Sequence, residues 1–60
     1  MPLTGKQMLA LFLNDGWEIE RINGSHYIMK KNGKTVVIPV HPRDLNKRTE
    51  GKILKAGGFR

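Results

Sequence analysis

The stretch Asn23-Gly24-Ser25-His26-Tyr27-Ile28-Met29 decides how this 60-residue chain folds. An Asn-Gly pair is a strong signal for a β-hairpin turn, and the residues that follow it are typical of a strand. His26 therefore stands at the first position of a strand, directly after a tight turn. Because histidine titrates near neutral pH, it is the side chain that we expect to carry chemistry in this chain.

Strand patterns lie on both sides of this turn. In the segment Trp17 to Ile22, the apolar Trp17 and Ile19 alternate with Glu18 and Glu20, which is typical of a half-buried strand. His26 to Lys31 forms the next predicted strand, and a second turn signal, Asn32-Gly33, separates it from Lys34 to Val40. The sequence thus predicts a three-stranded antiparallel meander.

The second hairpin has a simple predicted register. A two-residue turn at Asn32-Gly33 places Met29 opposite Val36 and Tyr27 opposite Ile38. All four apolar side chains then lie on one side of the sheet.

The first hairpin allows two registers. A two-residue Asn23-Gly24 loop would put Ile19 on the wrong face to join the apolar residues of the second hairpin. We favour a three-residue loop over residues 22–24, which restores that match and places Glu20 across from His26. The predicted core face is then Trp17, Ile19, Tyr27, Met29, Val36, Ile38 and Val40. The other face carries the apolar pair Ile28 and Val37, which we expect to be uncovered. Such a pair often marks a partner surface, and the alternative is a pair of ordinary exposed apolar residues.

Two helices flank the strands. Thr4 and Gln7 have the spacing of a capping box at the start of a helix over residues 5–14. Thr49 is the favoured N-cap of the last helix, with Asn46 as a rival one turn earlier, and Gly57-Gly58 end it. With both helices on the Trp17 face, residues 1–60 form a single α+β domain of order α-β-β-β-α.

The composition favours nucleic acid as a partner. The chain has 11 Lys and Arg against five Asp and Glu, a net charge of +6, and no cysteine. It has no apolar run of membrane-spanning length and no metal-binding or cofactor motif, so we expect a cytoplasmic protein without metal or cofactor. His41 is interpreted as a loop residue at the exit of the last strand, and a metal shared with His26 is disfavoured.

A histidine can serve RNA cleavage without a metal, because RNA carries its own nucleophile, the 2′-hydroxyl group, and lysines and arginines can neutralise the charge that develops on phosphorus. His26 is therefore the candidate catalytic residue, although a lone histidine on a strand is more often an ordinary surface residue. A non-catalytic double-stranded-RNA-binding module and a pure interaction subunit remain alternatives. The residues that we expect to contact RNA are Lys6, Ser25, Lys30, Lys31, Arg48 and Lys52.

The chain also resembles the HicA-type toxins of bacterial toxin–antitoxin pairs. The most specific shared element is the triplet Gly24-Ser25-His26, and the likeness extends from Gly5-Lys6 through Val36 to His41 and on to Lys52 to Gly58. The chain departs from the family pattern at Arg48, Glu50 and Gly51, where the family usually has a glycine, a leucine-like residue and a basic residue.

The resemblance implies a fold like that of double-stranded-RNA-binding domains and cleavage of mRNA with His26 as the catalytic residue. It also implies a HicB-type antitoxin as the protein partner, in a heterotetramer or a larger complex. The implied location is the bacterial cytoplasm.

Overall fold

The computed structural model describes residues 3–40 and 45–59 of the chain. The predicted order of elements is confirmed. The elements are helix α1 (Gly5–Asn14), strands β1 (Glu18–Asn23), β2 (His26–Lys31) and β3 (Lys34–Pro39), and helix α2 (Lys47–Ala56). The loop assigned to residues 41–44, with His41, lies outside the described residues.

Helix α1 begins with the predicted capping box. The Gln7 amide donates to the Thr4 hydroxyl oxygen at 3.1 Å, and the Thr4 amide donates to the Gln7 side-chain oxygen at 2.9 Å. Two of the amides that the first helical turn leaves without a backbone partner are thereby satisfied.

The hairpin of β2 and β3 is regular and has the predicted register. Met29 pairs with Val36, Tyr27 pairs with Ile38, and the pairing continues without a shift to the turn. The turn residues Asn32 and Gly33 have φ angles of 49° and 79°. Two consecutive positive φ angles give the turn the right-handed twist that the flanking strands require.

The hairpin of β1 and β2 differs from the predicted one, and the three-residue loop is wrong. Asn23 pairs with His26, so the turn consists of Gly24 and Ser25, with φ 63° at Gly24. The register shifts by one residue between Ile19 and Arg21. The extra residue, Glu20, makes a β-bulge, a feature in which two residues of one strand face one residue of its partner.

The core lies between the sheet and the two helices, as predicted. Its largest fully buried side chains are Phe12, Met8, Met29 and Ile38. Trp17 packs against Phe12 with ring centroids 5.0 Å apart, and Phe59 contacts the same ring at 5.1 Å. The remaining buried members of this core are Val36, Leu45, Ile53 and Leu54.

Strand β1 is left largely uncovered on the helix side. Both helices contact β3, while β1 lies at the opposite edge of the sheet. Ile19 is 40% exposed and Ile22 is 53% exposed. The prediction that Ile19 belongs to the buried core is therefore wrong, because the helices pack mainly over β3, at the other edge of the sheet.

Helix α2 begins one turn earlier than the favoured prediction. Asn46 is the N-cap, and its side-chain oxygen accepts a hydrogen bond from the Thr49 amide at 2.8 Å. Thr49 is therefore a helical residue, and the rival assignment is correct. Glu50 is buried, and its carboxylate accepts a hydrogen bond from the Leu3 amide, which fastens the N-terminal segment to this helix.

Candidate functional site

The candidate site lies on the sheet face that points away from the helices. Alternation along β2 places Tyr27 and Met29 on the helix side, so His26, Ile28 and Lys30 share the other face. We call this surface the helix-free face. It consists of those three residues and the residues paired with them in register, which are Glu18, Arg21, Asn23, Thr35, Val37 and Pro39.

The fold fixes the backbone around His26 from two sides. The residue pairs with Asn23 of β1 and with Pro39 of β3. The carbonyl oxygen of Ser25 accepts a hydrogen bond from the Val40 amide at 2.7 Å, which extends the link between the two strands past the end of β3. His26 thus sits at the start of a strand that is paired on both sides, with an exposed side chain.

The predicted carboxylate beside His26 is absent from that position. Glu20 occupies the bulge and has no partner in the register, while Asn23 stands directly across from His26. The expected pairing of His26 with Glu20 is therefore wrong. The cause is the turn, which begins one residue later than the Asn-Gly signal suggested.

The apolar pair of the helix-free face is only partly exposed. Ile28 and Val37 pair as predicted, and Val37 is 46% exposed. Ile28, in contrast, is only 8% exposed, although it lies outside the main core. It occupies the middle strand and is bordered by Arg21 on one side and Val37 on the other, so the expectation of an uncovered pair holds for Val37 alone.

Lys30 is the one predicted RNA-contacting lysine that the register places on the helix-free face. It is exposed and pairs with Glu18 and Thr35. With Lys31 it also lines a shallow cleft of about 170 Å³ at the end of the sheet away from His26. Gly16 and Asn32 complete the walls of this cleft together with Glu18.

Lys31 has a structural partner. Its Nζ donates to the Asp15 carbonyl oxygen at 2.7 Å and lies 3.2 Å from the Asp15 carboxylate. A cation at a helix C-terminus interacts favourably with the exposed carbonyl groups there. Lys31 therefore ties the end of β2 to the end of α1.

The other predicted RNA-contacting cations lie on the helices. Lys6 is in the first turn of α1, and Arg48 and Lys52 are on α2. All three are exposed, but their helices pack against the sheet face opposite to His26. Ser25, in contrast, is in the turn directly before His26. The structure thus separates the six predicted contact residues into a group on the sheet and a group on the helices.

Arg21 is a cation of the helix-free face that the sequence-based assignment missed. It is exposed and pairs with Ile28, so it lies on the same side of the sheet as His26. The signal that could have revealed it is the pair of successive charged residues Glu20-Arg21, which breaks the alternation of the strand where the bulge lies.

The described residues offer neither a metal-binding cluster nor a membrane-spanning helix. Within residues 3–40 and 45–59, no group of three or more His, Cys, Asp or Glu side chains is placed to hold a metal ion. Neither described helix is long and apolar enough to cross a membrane.

Fold and site together define a small basic α+β domain that displays a histidine at the start of its central strand. A sequence model of the family "HicA toxin of bacterial toxin-antitoxin" matches residues 5–59. The chain therefore belongs to the HicA toxin family, as the resemblance implied.

The solved structures agree with this assignment. A chain of a toxin–antitoxin complex from Streptococcus pneumoniae is 39% identical to this one and superposes with a TM-score of 0.81. The match covers 95% of this chain and 98% of the other. The search of curated proteins gave no match.

Proposed function

We propose that this toxin is an endoribonuclease that cleaves mRNA with His26 as a general acid or base. The observation that supports this most strongly is the position of His26. Its side chain is exposed on the helix-free face of a chain with net charge +6. A polyanion attracted to such a chain meets an imidazole group on a strand that is paired on both sides.

The reaction needs few protein groups. The 2′-oxygen of RNA attacks the adjacent phosphorus, so that an O2′–P bond forms and the P–O5′ bond breaks. One proton leaves the 2′-hydroxyl group and another is delivered to the departing 5′-oxygen. A histidine can perform either transfer, and nearby cations stabilise the charge that develops on the phosphoryl oxygens. Because the RNA supplies the nucleophile, and side chains can perform the proton transfers and the charge stabilisation, we propose that the reaction does not require a metal ion.

The first test is cleavage of a labelled RNA by purified protein in the presence of EDTA. We expect wild-type protein to cut the RNA and His26→Ala to lose activity by about 100-fold or more, the usual contribution of a general acid or base. A copy of the RNA with 2′-deoxy nucleotides throughout should resist cleavage, because it lacks the nucleophile.

Lys34→Gln serves as the matched control. Lys34 is exposed and is the first residue of β3, at the end of the strand away from His26, where it pairs with Lys31. Its substitution removes one charge and should leave cleavage largely intact. Full activity in a folded His26→Ala protein would contradict the proposal. Tight binding of duplex RNA without any cleavage by the wild-type protein would favour the non-catalytic binding module instead.

We also propose a HicB-type antitoxin as the protein partner. The similar chain from Streptococcus pneumoniae belongs to a toxin–antitoxin complex, and the charge of +6 suits an acidic partner. An antitoxin that covers the helix-free face would block access of RNA to His26. Both partners and the mRNA would meet in the bacterial cytoplasm, where the toxin acts.

Inhibition by the antitoxin is measured with the two purified proteins. Addition of the cognate antitoxin at equal concentration should abolish cleavage, and the size of the complex in solution shows whether it is a heterotetramer or larger. A stable complex that retains full nuclease activity would contradict occlusion of His26.

A further inference from the structure

The β-bulge at Glu20 determines which side of the sheet Arg21 occupies. At the start of β1, Ile19 pairs with Met29. If that register continued without a shift, Arg21 would stand opposite Tyr27, on the helix side. The observed shift pairs Arg21 with Ile28 instead, and so turns the guanidinium group toward the face that carries His26.

The register also sets the distance between the two side chains. Asn23 pairs directly with His26, so Arg21, two residues earlier on β1, is the diagonal neighbour of His26. Diagonal neighbours on one face lie about 7–8 Å apart, within reach of a long side chain. Lys30, four residues beyond His26 on the same strand, lies about 13 Å away at about 3.3 Å per residue.

We propose that Arg21 is the cation that contacts the scissile phosphate while that phosphate is held beside His26. This inference rests on the proposed ribonuclease activity. An imidazole and a guanidinium group on one face, one diagonal apart, can act on a single phosphodiester from two directions. Arginine also suits the task because its planar fork can donate two hydrogen bonds to two phosphoryl oxygens.

The proposed role is to stabilise charge in the transition state. Negative charge builds up on the phosphoryl oxygens as the 2′-oxygen attacks, and a preorganised cation offsets it. Lys30 has a different part on the same face, where it attracts the RNA strand farther from the reacting phosphate. Arg21 therefore acts on the rate of cleavage and Lys30 acts on affinity.

Arg21→Gln tests this role, with Lys34→Gln as the control for the loss of one positive charge. Cleavage is measured under single-turnover conditions with protein in saturating excess. Affinity is measured separately with an RNA that carries a 2′-deoxy nucleotide at the cleavage site. We expect Arg21→Gln to lower the cleavage rate by about 100-fold, the effect of removing one transition-state hydrogen-bond donor, while affinity changes much less.

The Arg21→Lys variant keeps the positive charge but cannot form the bidentate hydrogen bonds of arginine. Its cleavage rate should therefore lie between those of wild type and Arg21→Gln. Thermal unfolding of each variant shows that the fold is retained. An Arg21→Gln rate equal to that of Lys34→Gln would overturn the assignment of Arg21. A variant that binds RNA more weakly but cleaves bound RNA at the wild-type rate would overturn that assignment as well.

These outcomes are distinguishable from a failure of the proposed function itself. If His26→Ala is inactive while Arg21→Gln cleaves normally, the ribonuclease proposal stands and only the role of Arg21 falls. If wild-type protein leaves RNA intact, or if folded His26→Ala cleaves normally, both proposals fall.

Discussion

The two hairpins share strand β2 but differ in regularity and in cover. The β2–β3 hairpin pairs without a shift, closes with Asn32-Gly33, and lies under both helices. The β1–β2 hairpin contains a bulge, closes with Gly24-Ser25, and has an outer strand without a buried residue.

The two hairpins therefore contribute differently to the core and to the candidate site. The regular one supplies the buried core residues Val36 and Ile38 from its outer strand. The irregular one supplies the turn before His26 and brings Arg21 to the same face. Bulges commonly occur at sheet edges and next to functional sites, where they redirect a side chain.

The largest expected difference between the hairpins is in stability. Ile22 and Ile38 both pair with Tyr27, from opposite sides, but Ile38 is fully buried and Ile22 is 53% exposed. Ile38→Ala should lower the free energy of unfolding by about 2–5 kcal/mol because it leaves a cavity in the core. Ile22→Ala should change it by only about 0.5 kcal/mol.

Urea unfolding followed by tryptophan fluorescence measures both values, since Trp17 is buried in the core. Equal losses for the two isoleucine variants would show that the helices cover β1 and β3 alike, and would contradict the described packing.

Alanine substitutions at the two turn glycines should distinguish an effect on stability from an effect on RNA cleavage. Gly24 and Gly33 have φ angles of 63° and 79°, and nothing lies within 4 Å of a Cβ added at either position. Alanine at each site should therefore cost only the strain of the left-handed conformation, about 1–2 kcal/mol.

Cleavage, in contrast, should respond only to Gly24→Ala, because that turn sets the position of His26. Melting temperatures and cleavage rates of both variants provide the comparison. A matching loss of activity in Gly33→Ala, measured well below its melting temperature, would show that activity merely follows overall stability.

The smallest expected effect concerns the bulge residue. Glu20 is exposed and stands outside the paired register, so Glu20→Gln should alter the cleavage rate by less than about twofold, as for an ordinary surface substitution. The register with Glu20 across from His26 would instead make this carboxylate a direct neighbour of the reacting phosphate. A large change in rate on substitution would therefore support that rejected register.

Much of the fold could be predicted because its signals are local. The capping box at Thr4 and Gln7 fixes the start of α1, and Asn32-Gly33 fixes both the turn and the register of the second hairpin. Family membership followed from the triplet Gly24-Ser25-His26 and the pattern around it, and the family match over residues 5–59 confirms it.

The first hairpin could not be predicted because two of its features compete with the local signals. Asn23-Gly24 is a strong turn pair, yet the turn uses Gly24 and Ser25, and Asn23 remains in the strand. The bulge at Glu20 then restores Ile19 to the helix side, opposite Met29. Its marker in the sequence is the break in alternation at Glu20-Arg21, which indicates an irregularity without fixing the register around it. The position of Arg21 depends on both features, so it became visible only with the structure.

The start of α2 shows a similar competition between neighbouring signals. Asn46 and Thr49 are both good N-cap residues, and they stand one turn apart. The earlier start also places Glu50 on the buried side, where its carboxylate accepts the Leu3 amide. A contact between residues so far apart in the chain is invisible to local pattern analysis.

The central claim is that RNA occupies the helix-free face of the sheet, and methyl NMR tests it most directly. Isoleucine and valine methyl groups of His26→Ala protein are labelled, and a short RNA is added. Val37 and Ile28 lie on that face, while Ile19 and Ile22 are exposed on the helix side. We predict that RNA shifts the resonances of Val37 and Ile28 and leaves those of Ile19 and Ile22 in place. Shifts confined to Ile19 and Ile22 would contradict the account.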